Sequence, residues 1–111
     1  MRALRCLLLF AGLAGFVGGA AAEELPTFSV VIKAGRISPA RLEVPAGKKI
    51  KLTIKNEGPG PSEFENLDLR VEKVLGPGGS SFVVIHSLKP GTYRFVDEFH
   101  PNTSEMLLIA Q

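Results

Sequence analysis

The chain has 111 residues, 45% of them hydrophobic, with 13 Lys and Arg against 11 Asp and Glu and a single cysteine, Cys6. Arg2 and Arg5 belong to an N-terminal segment that reads as a leader, and without them the remaining 11 cations balance the 11 carboxylates. Near-neutral charge without an aromatic-and-lysine stripe argues against nucleic acid as a partner.

Residues 1–22 have the three parts of an export signal. Arg2 and Arg5 form the basic start, Leu7 to Val17 the apolar stretch, and Ala20-Ala21-Ala22 the small-residue cleavage site. The apolar run is short and glycine-rich, so no membrane insertion is expected after processing. Cleavage after Ala22 predicts a periplasmic domain of residues 23–111. It would contain no cysteine, which excludes disulfides, cysteine nucleophiles and thiolate-bound copper.

Alternation with period two dominates residues 23–111 and predicts strands. Phe28, Val30 and Ile32 share one face, with Ser29, Val31 and Lys33 on the other. Leu42 and Val44 alternate with Arg41 and Glu43, and Ile50, Leu52 and Ile54 alternate with Lys49, Lys51, Thr53 and Lys55. With Lys48, these lysines read as a solvated strand face. Leu67, Leu69 and Val71 repeat the pattern against Asp68, Arg70 and Glu72, while Phe82 to Ile85 is apolar on both faces and predicts a central strand. Val44-Pro45-Ala46-Gly47 and Lys89-Pro90-Gly91 are turn sequences, and the Gly-Pro stretches at 58–61 and 76–79 are loops. Seven or eight short strands, with turns about every ten residues, predict an all-β Greek-key β-sandwich.

Two acidic stretches carry the chemistry. Glu63 and Glu65 project to the same side of an extended segment, where such a pair repels itself unless water or a cation neutralises it. Asp97 shares a strand face with Tyr93 and Phe95. If those rings enter the core, its carboxylate needs backbone amides, a metal or a protonated His100 as a partner. Glu98 lies on the opposite face, and Pro101 holds His100 in extended geometry. One imidazole among carboxylates suits iron, manganese, zinc or copper(II). Met106 is a further soft donor or a core residue, and His86 reads as a strand-end residue. No serine with a base and orienter, and no phosphate-binding glycine loop, points to hydrolysis.

The segments Ile37-Ser38-Pro39-Ala40-Arg41-Leu42-Glu43-Val44-Pro45-Ala46-Gly47, Ile50 to Asn56 and Leu88-Lys89-Pro90-Gly91-Thr92-Tyr93 resemble the framework of the cupredoxins. Together with Glu63-Phe64-Glu65 and Asp97-Glu98-Phe99-His100-Pro101, they are similar to the small periplasmic cupredoxin-like proteins of bacterial iron uptake, of the EfeO and FtrB type. The resemblance implies a copper or iron ion held by Glu63, Glu65, Glu98 and His100, with Asp97 as a ligand or as the group that orients one, and Met106 near the family's methionine position. It also implies an iron permease and a periplasmic iron-binding protein as partners, with a role in ferrous iron oxidation. Where blue-copper relatives supply a cysteine this chain has Asp97 or Glu98, so no type 1 copper site is expected. The competing reading is an interaction module whose acidic loops recognise a periplasmic or membrane partner without metal.

Overall fold

The computed structural model describes residues 25–111; the predicted export signal lies outside them. Nine strands form two sheets, one more strand than the upper expectation, and no helix occurs among the described residues. The four-stranded sheet contains β1 (Thr27–Lys33), β2 (Arg36–Ser38), β4 (Ile50–Asn56) and β7 (Ser80–Ile85), in the order β2-β1-β4-β7. The five-stranded sheet contains β3 (Arg41–Val44), β5 (Ser62–Asn66), β6 (Val71–Leu75), β8 (Gly91–Asp97) and β9 (Met106–Ala110), in the order β3-β9-β8-β5-β6.

The chain crosses between sheets repeatedly, so β1 pairs parallel with β4 and β3 parallel with β9. Alternation decides which sides meet. Val30, Ile32, Ile50, Leu52 and Ile54 from one sheet bury against Phe64, Phe95, Met106 and Leu108 from the other. Phe64 and Phe95 stack with ring centroids 4.8 Å apart, an offset geometry that adds to the burial of both rings.

Two sequence expectations change. Leu67 to Arg70 is the turn of the β5–β6 hairpin rather than strand, and Leu67 is 65% exposed. Buried Asn66 sets this turn: its Oδ1 accepts from Leu69 N–H at 2.9 Å and its Nδ2 donates to Arg94 O at 2.9 Å. A side-chain acceptor that captures a nearby backbone amide offers the chain an alternative to the ladder, and strand-like alternation cannot reveal it. Phe82 to Ile85 lies on an edge strand rather than a central one. Val83 and Ile85 are buried, but Phe82 is 51% exposed and Val84 36%. An apolar run shows affinity for burial on both faces without guaranteeing a neighbour on both.

Candidate metal site

Antiparallel pairing places directly opposed residues on the same side of a sheet. Phe64 pairs with Asp97 and Glu65 with Val96, while Glu65 also faces Glu72 across the β5–β6 hairpin. Glu98 continues the ladder, its N–H donating to Glu63 O at 2.8 Å. The outer side of the five-stranded sheet therefore collects Glu63, Glu65, Glu72 and Glu98. The inner side receives Phe64, Phe95 and Asp97.

One carboxylate oxygen from each of Glu63, Glu65 and Glu72 falls within 4.8 Å of the others, the one such grouping of three or more ligand side chains among the described residues. Glu63 lies within side-chain hydrogen-bonding reach of Glu72, and Glu65 within reach of Glu98. The described ion pairs are Arg41–Glu43 and Arg94–Glu105, and neither these nor the Asp97–His100 contact reaches these four glutamates. Desolvation, reinforced by Glu72 and then by Glu98 and Asp97, raises the Glu63 pKa above the usual carboxylate value. Glu65, only 8% exposed, is raised by desolvation and by the charges of Glu98, Glu63 and Glu72. Such a cluster retains protons or accepts a cation.

Asp97 does a different job. Fully buried, its Oδ1 accepts from Glu63 N–H at 2.9 Å and Phe99 N–H at 3.0 Å, and its Oδ2 accepts from His100 Nδ1 at 2.9 Å. Ser104 Oγ closes the same loop, accepting from Asp97 N–H and lying 2.7 Å from His100 O. Backbone amides and the imidazole together satisfy the carboxylate, so it positions His100 rather than facing an external ion. The ring rests on Gly35, where a Cβ would fall 2.7 Å from its Cγ. With Nδ1–H held by Asp97, the neutral ring carries its free lone pair on Nε2.

The six candidate ligands thus separate. Glu63, Glu65 and Glu98 gather on the outer face of β5 and β8, whereas Asp97 and His100 occupy the inner side of the same end, against the β1–β2 turn. No described grouping of three ligand atoms joins His100 to the glutamates. Met106 is fully buried in the core beside Phe95, and His86 is exposed just after β7. Glu72 is the member that the sequence reading missed. Its signal lies in the hairpin, because a four-residue turn at Leu67–Arg70 puts Glu72 directly opposite Glu65.

The cupredoxin-like domain family matches residues 5–110. The chain belongs to that family. An uncharacterised protein of Rickettsia prowazekii (strain Madrid E) is 36% identical over 87 residues, which cover 78% of this chain and 70% of that protein. Among solved structures, reduced auracyanin from Roseiflexus castenholzii is similar at a TM-score of 0.62 and 17% identity, over 77% of this chain and 96% of that one. A purple cupredoxin from Nitrosopumilus maritimus follows at 0.53 and 20%, over 75% and 98%. At these identities the structural likeness shows the fold. The donors present do not fit thiolate-bound copper, since residues 25–111 contain no cysteine and the two histidines are in separate loops. An oxygen-donor site on the outer face fits a hard cation instead.

Proposed function

We propose that this cupredoxin-like protein is exported to the periplasm and binds a metal ion through Glu63, Glu65, Glu72 and Glu98, serving ferrous iron oxidation or uptake with an iron permease and a periplasmic iron-binding protein. One observation carries the reading: three carboxylates lie within 4.8 Å of one another on one sheet face, with Glu98 beside them, and no ion pair among the described residues neutralises them. Like charges placed directly across a hairpin destabilise it, and a bound cation turns that repulsion into affinity. The all-oxygen donor set suits a hard ion such as Fe(III) and disfavours soft Cu(I). Carboxylates stabilise Fe(III) relative to Fe(II), so capture at such a site favours loss of an electron. The resemblance in the 63–65 and 97–101 segments supplies the transport context.

Calorimetric titration of the protein, freed of metal by a chelator, with Fe(III)-citrate, anaerobic Fe(II), Cu(II) and Ca(II) tests the proposal. Iron uptake at micromolar concentration, lost in the Glu63→Gln/Glu65→Gln/Glu72→Gln variant and retained in His100→Ala, is the expected result. Absence of iron uptake, or binding of Ca(II) alone, refutes it. Oxygen consumption with Fe(II) then decides whether oxidation turns over on this chain.

A further inference from the structure

The two outer faces of the sandwich differ in charge. On the four-stranded sheet, register sends the odd-numbered residues of β1 and β4 and the even-numbered residues of β2 and β7 outward. The charges on that face are Lys33, Arg36, Lys51 and Lys55, and no carboxylate lies among its outward strand positions. Glu57 follows the end of β4. Val31, Phe82 and Val84 are the apolar residues, and small hydroxyls fill the rest. Lys33 and Arg36 oppose each other directly across the β1–β2 turn, a like-charge pair with no described ion partner.

Phe82 is the largest apolar side chain left half-exposed on this face, with Val84 two residues along the same strand. Lys51 Nζ lies 4.6 Å from the Phe82 ring centroid. By register, Thr53 lies opposite Phe82, between Lys51 and Lys55 on β4. The cations therefore spread over β2, β1 and β4 beside an apolar strip on edge strand β7, and they do not converge on one point. A discrete anion needs convergent donors. A charged interface needs the spread arrangement, with ammonium groups at the headgroups and an aromatic ring at the acyl boundary.

We propose that the outer face of the four-stranded sheet docks on an anionic lipid surface, with Phe82 and Val84 as the apolar contact and Lys33, Arg36, Lys51 and Lys55 as the electrostatic one. The acidic face, on the opposite side of the sandwich, then points away from the membrane. This arrangement is independent of whether that face binds metal.

Co-sedimentation of the purified protein, as processed by its expression host, with vesicles of phosphatidylglycerol and phosphatidylcholine, or of phosphatidylcholine alone, tests the assignment. Binding to the anionic vesicles at low salt should fall at least about tenfold in 0.5 M NaCl, because surface charges are then screened beyond ~4 Å. Lys51→Glu/Lys55→Glu should lose at least about tenfold and the milder Lys51→Gln/Lys55→Gln at least about threefold, two cations near a charged bilayer being worth that much. Phe82→Ser should weaken binding in both salts. Arg41→Glu/Arg70→Glu, with the same change in net charge on the five-stranded sheet and its β5–β6 turn, should bind as the parent does. No binding to anionic vesicles, equal loss in both double charge reversals, or binding unchanged in Lys51→Glu/Lys55→Glu overturns the proposal. So does self-association, measured without vesicles by sedimentation equilibrium, that requires both Lys51 and Glu72; it would assign the face to a second copy.

Discussion

Asp97 offers the sharpest test of how this end of the sandwich is built. Asp97→Ala removes the acceptor for two backbone amides, Glu63 N–H and Phe99 N–H, and for His100 Nδ1, at a side chain with no solvent exposure. Each hydrogen bond to a charged group contributes about 1.5–3 kcal/mol, and an orphaned buried donor costs about 1–3 kcal/mol. Because the 98–103 loop can open and let water reach part of the site, the sum is not additive, and a loss of about 3–5 kcal/mol is expected. For a domain of this size, 3 kcal/mol lowers Tm by roughly 12–24 °C. Asp97→Asn keeps the Oδ1 acceptor but can present an NH2 group to His100. That favours the tautomer with the proton on Nε2, at about 1–2 kcal/mol. Urea unfolding measures the stabilities, and long-range nitrogen-15 NMR of the imidazole reads the tautomer. If Asp97→Ala loses less than about 1 kcal/mol, or Asp97→Asn leaves the proton on Nδ1, the positioning role assigned to Asp97 is wrong.

Gly35→Ala places a methyl group 2.7 Å from His100 Cγ at a backbone φ of +73°, so it should displace the ring and destabilise by about 1–3 kcal/mol, visible as shifted His100 resonances. Phe64→Ala removes one ring of the buried stack and should cost about 3–5 kcal/mol in denaturant unfolding. The raised pKa values of Glu63 and Glu65 mean that the folded protein binds protons more tightly than the unfolded chain. Their stabilising contribution is complete below the unfolded value near 4.5 and disappears as pH rises through the folded values. In the presence of EDTA, Glu65→Gln should therefore be more stable than the parent at pH 7, with the advantage shrinking toward pH 4; an advantage that grows on acidification contradicts the cluster.

The strand alternation in 28–33, 41–44 and 49–55 fixes which side chains face inward, because period two follows from the pleat itself. Period two likewise sends Asp97 and Glu98 to opposite sides of the chain, and the turns at Pro45 and Pro90 follow from local backbone chemistry. What the sequence cannot supply is adjacency. Glu72 joins the acidic cluster only because Asn66 folds Leu67–Arg70 into a turn, and Phe82 is exposed because edge strand β7 turns it to a sheet face that no second layer covers. His100 leaves the glutamates because Asp97 carries it to the inner side of β8, held there by one hydrogen bond made across the fold, from Glu63 N–H, and two local ones. Local sequence thus set the direction of each side chain. Which charges meet, and which remain unpartnered, depended on pairings between segments tens of residues apart, where hydrogen-bond partners are chosen by the folded chain as a whole.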